Sequence, residues 1–198
     1  MIDHSVSTKE LAAVDVDVAT FERLVTQGTP EALAAAAAVY QGDLLQGLAV
    51  QEAPFEEWLM AERERLRELA LEALAKLLAQ QRAAGTTDLA LQTALRLHAL
   101  DPLLETVQRT LMRLYAQLGR PGAALRQYQM CVDTLRRQLG VEPEEETKQL
   151  YRDILRVRLS RSTAAAHLLC RGARQLTEFH AHNTAQPPVN ALRPEVEE

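Results

Sequence analysis

Gly85 and Gly119 lie 34 positions apart, and the residues around them repeat at the same offset. Ala90 pairs with Ala124, Leu77 with Leu111 and Leu91 with Leu125. In each copy an apolar helical pattern runs into the glycine and a few turn residues follow. A second helical pattern then starts just before the alanine. This spacing constrains the fold more than any other feature of the chain. A lone helical hairpin leaves one apolar face bare, and a second hairpin stacked on it covers that face. The first copy closes on Asp101-Pro102, where proline cannot continue a helix. The second copy drifts. It carries Tyr115 and Tyr128 at the aromatic positions, has Gln108 where a tryptophan is common, and lacks a proline after Arg136.

One helix–turn–helix per 34 residues is the tetratricopeptide period. The expected fold is therefore all-α: a tetratricopeptide-like stack of helical hairpins, a right-handed α-solenoid, with a short extended lead-in. Composition agrees, because alanine and leucine dominate while aromatic residues make up only 4% of the 198, which favours helix over sheet. The length suffices for one domain with a sizeable core, with or without tails. A formal net charge of −5 argues against the whole chain binding nucleic acid or an acidic membrane. The N-terminus has no signal-peptide pattern, and no apolar run reaches about 18 residues. Two cysteines, Cys131 and Cys170, read as reduced thiols of a cytoplasmic protein with no membrane association.

The stretch Val14-Asp15-Val16-Asp17-Val18 alternates with period two and reads as a short strand, or as an extended lead-in to a helix capped by Thr20. Gly28 ends that helix, and Thr29-Pro30-Glu31 opens the next with a cap, a proline and an acid. The alanines from Ala34 to Ala38 allow close helix packing. A turn-rich connector, Tyr40 to Leu48, precedes an unbroken helical pattern from Ala53 to Gly85, about 45 Å long at helical rise. Glu62, Arg63, Glu64, Arg65, Arg67 and Glu68 alternate in sign along it, as on a solvated face. Trp58 is expected in the core, anchoring this helix against the connector. Repeat helices follow at 87–99, 103–118 and 121–138. Gly140-Val141-Glu142-Pro143 breaks the last, and Glu144 to Glu146 open another helix at its positive end, with Tyr151, Ile154 and Leu155 as its apolar stripe. Beyond 160, a weak helix over Thr163–Phe179 and a disordered tail from Gln186 are expected.

No phosphate-cradling glycine loop, HExxH or CxxC pair is present. Cys170, His180 and His182 are too few ligands, in too irregular a segment, to argue for metal. Neither catalysis, a metal nor a cofactor is expected.

Two longer motifs go beyond the period. Tyr40-Gln-Gly-Asp-Leu-Leu-Gln-Gly-Leu48 is followed by Phe55-Glu-Glu-Trp-Leu-Met-Ala-Glu-Arg-Glu-Arg-Leu66. Together with Leu100-Asp-Pro-Leu-Leu-Glu105, Leu111-Met-Arg-Leu-Tyr115 and Leu139-Gly-Val-Glu-Pro143, they resemble the bacterial transcriptional activator domain. That domain occurs in SARP-type antibiotic regulators and in large ATPase-containing transcriptional regulators. The resemblance covers about residues 15–157, with Tyr40, Gly42, Trp58, Arg63, Gly85, Asp101, Pro102, Gly119, Ala124 and Gly140 as its structural positions. It implies a helical domain over 19–159 that works by protein contact, with the transcription machinery, with regulator subunits or with a second copy of itself. Residues 1–18, with Val14–Phe21 resembling the exit of an upstream winged helix, are too few to hold that domain. Direct DNA binding by this chain is therefore not expected, nor is a nucleotide-binding module. A tetratricopeptide scaffold or adaptor unconnected with transcription is the alternative.

In stacked hairpins the first helix of each unit lines the working face. The frame set by Gly85 and Gly119 places Glu72, Ala75, Ala79 and Arg82 there, then Thr106, Arg109, Arg113 and Gln117. Arg109 and Arg113 are four apart and repel, which suits an acidic partner. Glu105, four residues before Arg109, is an alternative partner for it.

Overall fold

The computed structural model describes residues 17–48 and 52–159, all of whose regular structure is helical. Helices α1 (Asp17–Gln27) and α2 (Pro30–Val39) form a first hairpin, α3 (Ala53–Ala83) and α4 (Thr87–Leu100) a second, and α5 (Glu105–Gln117) and α6 (Pro121–Gln138) a third. The hairpins join through α2 against α3 and α4 against α5. A seventh helix, α7, covers described residues 145–159. The packed unit containing α1 to α6 ends at Ile154.

The two 34-spaced turns are superimposable in their hydrogen bonding. Gly85 and Gly119 have φ of 71° and 70°, a left-handed conformation that glycine adopts without cost. The N–H of Gly85 donates to the Arg82 carbonyl at 3.2 Å and that of Thr86 to Gln81 at 3.0 Å. The N–H of Gly119 donates to Ala116 at 3.1 Å and that of Arg120 to Tyr115 at 2.8 Å. All four residues of the second set lie 34 beyond those of the first. Five residues past each glycine, Ala90 and Ala124 are fully buried, where a methyl group lets the paired helices approach closely. The first hairpin obeys the same rule out of period. Gly28 has φ of 64°, and five residues later Leu33 is fully buried.

The main core gathers Phe21, Leu33, Leu66, Leu74, Leu97 and Leu111 from the first five helices. A smaller cluster joins Met112, Ala124 and Ile154, with the rings of Tyr128 and Tyr151 stacked at 4.2 Å beside it. Burying each large aliphatic side chain contributes about 1.5–3 kcal/mol.

Several expectations need correction. Helix α1 starts at Asp17, so Asp17 and Val18 are helical and Thr20 lies inside the helix instead of capping it. The aspartate at the first turn accepts the Val18 N–H at 2.9 Å, and Phe21 and Val25, four apart, define a buried helical stripe. Helical period wins over the alternation there. Helix α5 begins two residues later than expected, at Glu105. Trp58 is not core: it is 52% exposed, its ring 5.6 Å from that of Phe55. The connector is held by Arg63 instead, whose Nε and Nη2 donate to the carbonyls of Leu44 and Leu45 at 2.7 and 2.9 Å. The mixed-charge face of α3 is thus only partly solvated. Arg67 Nη2 also reaches across, donating to the Leu100 carbonyl at the end of α4 at 2.6 Å. Residues 14–16, the helix expected over Thr163–Phe179, the tail from Gln186, and Cys170, His180 and His182 lie outside the described residues.

Candidate partner-binding groove

Helices α3 and α5 open the second and third hairpins, and a groove runs between them. One cavity of about 400 Å³ is lined by Glu72, Ala75, Ala79, Arg82 and Thr106, among others. A second, of about 670 Å³, shares Ala79 and Arg82 and adds Gln117. Six of the eight expected positions therefore come together along one surface. The apolar floor comes from Leu71, Leu78, Leu104 and Val107. Thr110 and Leu114 complete the α5 side. Sequence reasoning missed these two, although steps of four from Thr106 reach both along one helix face.

Electrostatically the groove has one uncommitted cation. Glu72 is paired with Lys76 on its own helix at 2.7 Å. Arg82 is exposed and has no ion pair among the described residues, so the groove presents a guanidinium fork above an apolar floor.

Arg109 does not belong to it. It is buried, 7% exposed, and turned towards the start of α7. Its guanidinium pairs with Glu144, lies 3.4 Å from Glu146 and 4.0 Å from Glu105, and donates to the Thr147 hydroxyl at 3.0 Å. Glu105 accepts the Glu144 N–H at 3.0 Å and the Thr147 hydroxyl at 2.7 Å. A carboxylate of α5 thus satisfies orphan donors at the start of α7, where the helix dipole favours negative charge. The expectation of two exposed, mutually repelling arginines fails because the next helix covers the first. Glu105 is a partner of Arg109, but one of three. Arg113 is exposed and lies outside both cavities.

The remaining structural positions are accounted for. Tyr40 packs its ring, tilted, 5.5 Å from that of Phe21, and its carbonyl accepts from Arg96 Nη2 at 2.9 Å. A Cβ on Gly42 would lie 3.0 Å from Gln46 Oε1, inside the connector. Asp101 ends α4 and accepts the Leu103 N–H at 2.9 Å. The Pro102 carbonyl accepts from the Gln108 amide at 2.9 Å. Gln108, standing where a tryptophan is common in the repeat, is buried in a polar chain. Gln127 Nε2 donates to its Oε1 at 2.6 Å, and its own Nε2 lies 3.2 Å from His98 Nδ1. Burial holds the His98 imidazole below its ordinary pKa, so the neutral ring is available to accept. Gly140, with φ of 69°, follows α6.

Burial pushes the Cys131 thiol up to about 11, which makes it a poor nucleophile. Among the described residues, no group of three His, Cys, Asp or Glu side chains is placed to hold a metal, and no helix is long and apolar enough to cross a membrane. The chain matches the bacterial transcriptional activator domain family over residues 16–155. No curated protein matches it. More than two thirds of the chain lies within the family match.

Proposed function

From the chain's membership of the bacterial transcriptional activator domain family, the regulatory module of transcription factors, we propose that it acts by protein contact and not by catalysis. The seat of that contact is the groove between α3 and α5. The observation that carries this reading is the groove itself: an apolar floor between the first helices of consecutive hairpins, with Arg82, which has no ion pair among the described residues, lining both of its cavities. An amphipathic segment of the transcription machinery or of a regulator subunit would lay its apolar side on Leu78 and Val107 and set a carboxylate against Arg82. The site of action is the cytoplasm, where bacterial transcription takes place.

Ala79 lines both cavities and is exposed, so bulk added there fills the groove without entering the core. Ala79→Arg, tested in a reporter assay of a regulator carrying this domain, should retain the wild-type melting curve and lose activation. A folded variant with full activation would remove the groove from the proposal. The chain alone should show only weak, salt-sensitive attraction to promoter DNA. Nanomolar sequence-specific binding in a gel shift at physiological salt would contradict contact-only action.

A further inference from the structure

A cavity of about 470 Å³ lies away from the groove, between the first turn of α1 and the connector that follows α2. Its floor is apolar: Phe21 and Leu66 are 3% and 4% exposed. The Tyr40 ring stands at its side, and its rim carries the exposed carboxylates of Asp17 and Asp43. Among the described residues, no lysine or arginine lines it. Neither carboxylate has an ion pair among the described residues; the polar contact of Asp17 is the N–H of Val18 at 2.9 Å. The guanidiniums beside the connector are committed elsewhere, Arg63 to the Leu44 and Leu45 carbonyls, Arg96 to those of Ala37 and Tyr40, and Arg67, whose charge also reaches the Tyr40 phenol, to that of Leu100. Burial first, and then the charge of Asp43, hold the Tyr40 phenol above its ordinary pKa, which places that carboxylate's field on the ring.

The wall of this cavity is built, not loose. Leu45 adopts φ of 50°, a costly conformation for a leucine. Arg63 grips its carbonyl, which also accepts the Leu48 N–H at 3.0 Å. A concave site of this size, with an apolar floor, an aromatic face and anionic rim groups, suits a cation on a short hydrocarbon stem. We propose that the cavity between α1 and the connector binds a guanidinium or ammonium group carried on an apolar stem. The group arrives either as a free small cation or as an arginine or lysine side chain of a partner protein. This site is separate from the α3–α5 groove and does not rest on that reading.

The test is a titration of the full ¹⁵N-labelled chain followed by amide chemical shifts. Three probes are used: butylguanidinium, the neutral amide pentanamide on the same butyl stem, and a short peptide whose one charged group is an arginine side chain. Butylguanidinium should produce saturating shifts at Phe21, Tyr40, Gly42 and Leu44. Pentanamide should bind at least tenfold more weakly. The double variant Asp17→Asn, Asp43→Asn changes two exposed rim positions. It should keep the amide spectrum elsewhere and lose at least tenfold in affinity for butylguanidinium. The peptide binding tenfold or more tightly than butylguanidinium identifies a partner's side chain as the source, whereas equal or weaker binding identifies a free cation. Equal binding of pentanamide, unchanged binding by the double variant, or shifts scattered over the other acidic surfaces would each overturn the site.

Discussion

Trp58 on α3 and Arg109 on α5 have exchanged the places their side chains suggest. The large aromatic residue is half exposed and the charged one is buried. What separates them is the element laid over each position. Where Trp58 sits, near the start of a 31-residue helix paired with one of 14, the side chain remains open to solvent. Arg109 lies under the start of α7, whose carboxylates and hydroxyl complete its coordination. Burial in stacked hairpins is thus decided by the neighbour in the stack before it is decided by residue type. A charge tolerates the interior when its counter-charges arrive with the covering helix.

The sharpest way to break this comparison is to remove the arginine. Arg109→Met keeps most of the volume but leaves Glu105, itself largely buried, without its cation. Urea unfolding should show a loss of about 3–5 kcal/mol. A loss below about 1 kcal/mol would mean that the arginine is not structural. Next in size is the glutamine chain beside it. Gln127→Ala leaves the buried Gln108 Oε1 without its donor and should cost about 1–3 kcal/mol in the same measurement.

The tryptophan side of the comparison predicts small effects. Trp58→Ala should cost under about 1 kcal/mol, the loss expected of a surface position with one aromatic neighbour. As the chain's single tryptophan, Trp58 should emit as a solvent-exposed indole and be quenched by iodide. Blue-shifted, unquenched emission would return it to the core. The smallest effect is a pH dependence. His98 is held below its ordinary value of 6.5 by burial, so its contribution to stability is complete above pH 6.5. As pH falls below that value the unfolded chain takes up the proton first, and stability declines until the folded state is protonated too. Urea titrations between pH 7.5 and 5 should show this decline, and His98→Gln should flatten it.

The repeat itself was legible because its cause is local. Each turn has a glycine with positive φ and a fully buried residue five positions later, and in the two 34-spaced turns that residue is alanine, so Gly85, Gly119, Ala90 and Ala124 repeat in the letters. The end of α4 followed from Pro102 and that of α6 from the break at Gly140 to Pro143. The first hairpin uses the same device at Gly28, but its connector shifts the spacing away from 34, and a search by period passes over it. The groove was legible for the face of α3 and only in part for that of α5. Four-residue steps from Thr106 lead to Thr110 and Leu114, while Arg109, one residue before Thr110, is turned about 100° round the helix from it, beneath a helix more than 30 residues distant in sequence. Nothing within α5 announces that helix. The N-terminal alternation misled at Asp17 and Val18 for a related reason: these two residues open a helix whose buried stripe appears only at Phe21 and Val25.

The arginines that tie the hairpins together have one property in common. Arg63 and Arg96, which join the second hairpin to the first, both end on main-chain carbonyls, at Leu44 and Leu45 and at Ala37 and Tyr40, and Arg67 does the same at Leu100 within the second hairpin. Every amino acid supplies that acceptor. The residues on the receiving side are therefore free to drift, provided that the chain keeps its path, while the donor is fixed by the reach and fork of a guanidinium, which lysine does not reproduce. Such a joint leaves a one-sided trace in a set of related sequences: an invariant arginine with no partner that changes in step with it. Methods that infer proximity from paired substitutions are blind to these ties, although they set how one hairpin meets the next.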